Sequence, residues 1–154
     1  MPLKKTIYKE VASINGWTVI LDSDLCMTED TDRIRSISEK LNTPVFSMVC
    51  ESVSGTYGFS YTDQGVHRSY CLEGGTIIED IGQPIPQERD IKLTELFETD
   101  VIGLLSRIGV SSLDIQNHSD FEVWELEYTN PLEENHLHTS LPSSKNPWWK
   151  FWKN

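Results

Sequence analysis

Asn15-Gly16 stands between two short apolar runs, Val11–Ile14 and Trp17–Leu21, and it constrains the chain more than any other pair of residues. A two-residue type I′ turn needs positive φ at both positions, and Asn-Gly supplies this best. Such a turn pairs Ile14 with Trp17, Ala12 with Val19 and Tyr8 with Ser23. Ala12, Ile14, Trp17, Val19 and Leu21 then share a face, with Glu10 as the exception. A helix over residues 4–12 is the competing expectation.

Further hairpin signals follow in SMVCESVSGTYGFSYTDQGVHRSYCLEGGTIIED, residues 47–80. Phe46, Met48 and Cys50 alternate on even positions, and Tyr57, Phe59 and Tyr61 on odd ones. The change of parity requires a break or bulge around Ser52–Thr56, at Gly55. Asp63-Gln64-Gly65 reads as a three-residue hairpin loop, and Gly74-Gly75 as the next turn. These glycines form turns. A Walker loop needs GxxxxGK[ST], and a dinucleotide fingerprint needs GxGxxG between strand and helix; SGTYGF is neither.

Two helices complete the pattern. TEDTDRIRSISEKLNTP has Thr28 as N-cap, acids in its first turn and a narrow stripe of Ile34, Ile37 and Leu41, stopped by Asn42 and Pro44. LTELFETDVIGLLSRIGV carries the broader face Leu93, Leu96, Phe97, Val101, Leu104, Leu105 and Ile108, ended by Gly109. GQPIPQERD is a connection, and DFEVWELEY is a strand with Trp124, Leu126 and Tyr128 opposite Glu125 and Glu127. The order β-β-α-β-β-β-α-β predicts an α+β fold: a mostly antiparallel, hairpin-rich sheet with two helices packed on it.

The chain has 154 residues, enough for one core. Residues 1–128 are expected to form a single domain. Residues 129–154 form a polar linker and a Trp/Lys-rich tail. The first part holds 22 acidic and 10 basic side chains, net −12, and the tail is net +1. Such charge repels nucleic-acid phosphates and speeds encounter with a basic protein. No apolar run reaches membrane-spanning length. MPLKKTIYKE lacks the apolar stretch of a secretory signal. Three cysteines without CxxC spacing fit reduced thiols, so a cytoplasmic protein is expected.

No catalytic set emerges, and neither a cofactor nor a metal is expected. Cys50 or Cys71 with His67 is the available Cys–His pairing, but no helix N-terminus activates either thiol. His136-x-His138, with Glu133, Glu134 and His118, offers ligand types without a metal-site spacing. The Trp148–Trp152 tail is expected to fold back onto the domain or onto a second copy.

WTVILDSDLCMTED resembles the first motif of haloacid-dehalogenase-type phosphatases. That resemblance implies Asp22 as nucleophile, Asp24 as acid/base and a magnesium ion. Cys26 departs from the Thr or Val of that motif, and neither Lys92 nor the isolated Asp80 has the expected context.

The chain as a whole resembles the small, acidic, single-domain immunity proteins that bacteria make against toxins. The resemblance lies in size, charge, hairpin-rich layout, the missing catalytic set and the terminus PWWKFWKN. It implies a cytoplasmic protein that binds one basic toxin domain through an acidic, aromatic surface. Tyr57, Tyr61, Tyr70, Glu122, Trp124, Glu125 and Glu127 are the expected partner-binding residues. A structural or adaptor homodimer is the alternative.

Overall fold

The computed structural model describes residues 4–22 and 31–129. Within them the chain is α+β, as its patterning predicts, and every strand pairing is antiparallel. The elements are β1 (Lys4–Ile14), β2 (Trp17–Leu21), α1 (Thr31–Leu41), β3 (Val45–Glu51), β4 (Thr56–Asp63), β5 (Val66–Glu73), β6 (Thr76–Ile81), α2 (Glu98–Ile108), α3 (Ser112–Gln116) and β7 (Glu122–Thr129). The strands divide between two sheets, ordered β2-β1-β7 and β3-β4-β5-β6.

The Asn15-Gly16 turn forms as expected, with φ of 52° and 76°. It sets the register Ile14–Trp17 and Ala12–Val19. The helix alternative for residues 4–12 is therefore replaced by strand β1. The partner proposed for Tyr8, Ser23, lies outside the described residues, as do Asp24, Cys26 and the Thr28 cap.

Parity in the second sheet also follows the sequence. Phe46 opposes Tyr61, Met48 opposes Phe59 and Cys50 opposes Tyr57. The expected break is the loop between Glu51 and Thr56. One turn differs: Asp63 pairs directly with Val66, so Gln64-Gly65 is a two-residue turn with both φ positive, at 42° and 85°. Gln64 thus takes a left-handed conformation that its side chain does not advertise.

One apolar cluster lies between the sheets and α2. Ala12, Ile14, Trp17 and Val19 meet Phe46, Phe59, Tyr70 and Leu72, with Leu96, Val101, Leu104, Leu105 and Val110. The rings of Phe46, Phe59 and Tyr70 stack in a row across three strands, with centroids 6.4 and 6.3 Å apart. Gly109 ends α2 in the left-handed conformation, φ 110°. A second cluster joins Val11 and Ile20 to Ile34 of α1 and Val45 of β3. Neighbouring residues of a strand point to opposite faces. The first sheet is therefore buried on one face by α2 and on the other by α1.

Three features lie beyond the sequence reading. β6 adds a strand to the expected order. The helix α3 follows Val110 through a capping box, in which Asp114 N–H donates to Ser111 Oγ at 3.1 Å and Ser111 N–H to Asp114 Oδ2 at 2.9 Å. Arg68, mid-strand in β5, is buried; it donates to Glu88, Asp80 and the Ile81 carbonyl.

Candidate functional site

Strand β7 carries the most concentrated chemistry at the surface. Its sequence EVWELEYT holds three carboxylates and no basic side chain. It pairs with β1 over eight consecutive residues without a register shift, from Val11–Glu122 to Lys4–Thr129. Among the described residues β1 is central in its sheet and β7 is an outer strand.

The start of β7 is held from several sides. Phe121 packs against the main cluster, and the His118 ring meets it edge-on at 5.3 Å. The Asn15 amide donates to Gly109 O at 3.2 Å and to Asp114 Oδ2 at 3.1 Å, and Trp17 Nε1 donates to Ile108 O at 3.0 Å. The hairpin turn is thereby fastened to the α2–α3 corner. Asp114 is held below the usual carboxylate range by the Ser111 N–H, then by the Ser111 hydroxyl and the Asn15 amide.

The β1–β2 hairpin and the start of β7 border an open groove of about 320 Å³, lined by Ser13 and Thr18 of the hairpin and by His118, Asp120, Glu122 and Trp124. The Trp124 side chain is half exposed, and its Nε1 donates to Glu122 Oε2 at 3.1 Å. An indole face beside two carboxylates suits a cationic side chain, which gains ion pairing and cation–π attraction together. Lys9, across the ladder from Trp124, is buried and donates to Asp22. Its charge is directed inward, toward Asp22.

The expected partner-binding residues fall into three groups. Glu122, Trp124, Glu125 and Glu127 lie together on β7, but on both of its faces. Glu125 and Glu127 oppose Tyr8 and Thr6, whereas Glu122 and Trp124 oppose Val11 and Lys9. What unites them is the strand and its edge. Tyr57 and Tyr61 belong to the other sheet and are half-buried. Tyr57 packs edge-on against Phe97 at 6.0 Å. Tyr61 O–H donates to Asp63 at 3.3 Å, and burial and then Asp63 push its phenol up. Tyr70 requires correction as a surface residue: it is 1% exposed, its hydroxyl donates to Leu93 O at 2.9 Å, and Arg68 lies 5.6 Å above its ring. It is part of the core.

The other candidates take structural places. Asp22 is buried against Lys9, at the end of an antiparallel strand; Asp24 lies outside the described residues. Asp80, isolated in sequence, is 2.6 Å from Arg68. Both described thiols are pushed up to about 12 by burial, helped by Glu98 at Cys50 and by Glu79 and Glu73 at Cys71. Neither is a thiolate near neutral pH. His67 Nδ1 pairs with Thr62 Oγ1 at 2.8 Å. Among the described residues no group of three or more His, Cys, Asp and Glu is placed to hold a metal ion. Glu133, Glu134, His136, His138 and the Trp148–Trp152 tail lie outside them.

The groove residues Asp120 and His118 were missed as partners of Glu122 and Trp124. The run of acids from Asp120 onward was the available signal, but the contribution of Ser13 and Thr18 depends on long-range pairing. No helix among the described residues is long and apolar enough to cross a membrane. Comparison with protein-family models, curated proteins and solved structures finds no match to this chain.

Proposed function

We propose that this chain is a cytoplasmic protein-binding module that receives a basic partner on the acidic, aromatic strand β7. Among the resemblances in its sequence, the one to bacterial immunity proteins fits this reading, with a cognate toxin as the partner. One observation carries it: an outer strand with Glu122, Glu125 and Glu127, no basic side chain, and a groove where Trp124 stands beside Asp120 and Glu122. The chain's net negative charge would steer a basic surface inward, and the indole would supply desolvated contact area after encounter. The reading is non-enzymatic and calls on no cofactor.

Co-expression with the product of the neighbouring gene tests it. Rescue of growth and co-purification are expected, with rescue lost on reversing Glu122, Glu125 and Glu127 to lysine. No rescue and no complex would refute it.

A second reading, a homodimer, is favoured by β6. That outer strand exposes Ile77, Ile78 and Ile81, while its Glu79 and Asp80 are bound to Ser69 and Arg68. Sedimentation of the free protein separates the two: a dimer that persists in high salt and dissociates on Ile78→Lys supports the second.

A further inference from the structure

Independently of the reading of β7, we propose that the chain's own C-terminal segment, residues 145–153, docks on an apolar row at the start of α2. The rings of Trp148, Trp149, Phe151 and Trp152 cover Phe97, Tyr57 and Ile77, and a lysine among them meets Glu98.

Phe97 is the first argument. It holds the N-cap position of α2, and its side chain is 61% exposed. Ser, Thr, Asp and Asn serve an N-cap because their side chains accept a helix N–H. A phenylalanine ring cannot. The Phe97 N–H donates to Asp100 Oδ2 at 3.0 Å, which leaves the ring no part in holding the helix end. The position thus forgoes a cap and bares a large apolar side chain. A local rule broken in this way points to another use for the residue.

The ring also continues a surface. It meets Tyr57 edge-on at 6.0 Å. Tyr57 pairs with Cys50 on one side and Leu72 on the other, and Leu72 pairs with Ile77. Directly paired residues stand on one face of a sheet, so an apolar row crosses all four strands. Leu72 is buried, Cys50 and Tyr57 are half-buried, and Ile77 is 46% exposed at the end of the row. Single apolar side chains are ordinary on a surface, whereas a row that ends in a bare ring is a place for another apolar group.

Sequence supplies the occupant. Four rings fall within residues 148–152, with Lys145, Lys150 and Lys153 around them, and no acid follows Glu134. Glu98, next to Phe97, makes no ion pair among the described residues, and it lies near enough to Cys50 to help raise that thiol. A cation there gains a partner while the rings leave water. The groove beside Trp124 is the poorer seat for four rings. Ser13, Thr18, His118, Asp120 and Glu122 line it, and rings laid over them would strip water from polar groups. Reach suffices for docking: the chain from 130 to 147 can span up to roughly 60 Å, and a domain of this size is about 35 Å across.

The test compares the full chain with a full-length variant carrying Trp148→Ser, Trp149→Ser, Phe151→Ser and Trp152→Ser. The readout is the ring-current shift of the Phe97 and Tyr57 ring protons and the Ile77 methyls. These resonances should differ between the two proteins, hold on tenfold dilution, and leave the Trp124 indole N–H unmoved. Thermal melts add a second measurement. Phe97→Ser supplies a cap, so in the substituted chain it should raise the midpoint by about 3 °C. With the native C-terminus the same change removes the seat, and the gain should vanish.

Unmoved resonances at Phe97, Tyr57 and Ile77 would overturn the inference, as would an equal effect of Phe97→Ser in both chains. Shifts centred on Trp124 and His118 would put the segment in the β7 groove. Shifts lost on dilution would make the occupant the C-terminus of a second copy. Either result also overturns it. None of these outcomes bears on rescue by co-expression, so the proposed function is tested separately.

Discussion

Arg68 and Glu88 form a two-point bridge, Nε to Oε1 at 2.7 Å and NH2 to Oε2 at 3.2 Å, with both side chains almost fully buried. The bridge joins the middle of β5 to the 3-10 turn Pro86–Glu88. Glu88 Oε1 also accepts the Ile85 N–H at 3.1 Å, and Arg107 of α2 donates to the carbonyls of Gln87 and Arg89. The proline-bearing connection is therefore fixed to the sheet and to α2.

Removing one partner of this bridge leaves a buried charge unpaired. Glu88→Ala should destabilise the fold by about 3–5 kcal/mol, the range for breaking a buried pair. Asp80→Ala, at the exposed end of the Arg68 cluster, should cost about 1 kcal/mol or less. Urea unfolding of both variants checks the order. Equal losses would show that the bridge is not the main anchor.

Gly82 opens that connection with φ of 79°, and a Cβ built there would lie 2.0 Å from the His67 carbonyl oxygen. Backbone cannot swing aside as a side-chain tip can. Gly82→Ala should therefore cost more than Gly16→Ala, where the added carbon meets nothing and only the left-handed conformation matters, about 1 kcal/mol. Paired thermal melts read the difference.

Burial of Cys50 and Cys71 implies a pH dependence. Their folded values are raised from 9 to about 12. Above pH 9 the unfolded chain releases thiol protons that the folded chain retains. The unfolded state then binds fewer protons, and stability falls as pH rises from about 9 to 12. Cys71→Ala should flatten that slope, and an aromatic disulfide reagent at pH 8 should label native protein far more slowly than unfolded.

Tyr70 and Trp124 should separate stability from binding. Tyr70→Ala removes a core ring and should cost about 3–5 kcal/mol. Trp124→Ala should cost about 1 kcal/mol or less while abolishing most partner affinity. Chemical denaturation and titration with the co-purified partner measure the two effects.

Signals carried by neighbours in sequence were legible. Asn15-Gly16 determined the first hairpin, the change of parity after Cys50 located the β3–β4 loop, and Gly109 marked the end of α2. The exceptions share a non-local cause. Arg68 looks like an ordinary strand charge until β6 and the 3-10 turn bring Asp80 and Glu88 to it. Tyr70 looks available until Leu93 and α2 cover it. The grouping of Glu122, Trp124, Glu125 and Glu127 was legible as a strand, but its position at a sheet edge depends on β1, at the far end of the described chain.

That last pairing orders events on the ribosome. β1 emerges before β7 and can pair with β2 at once, yet its pairing with β7 waits until residues 122–129 have cleared the exit tunnel. A nascent chain halted earlier presents the β1 backbone where the finished protein presents β7. Any chaperone or neighbouring nascent strand drawn to this protein during synthesis therefore meets β1, with its three lysines, before it meets the three glutamates of β7.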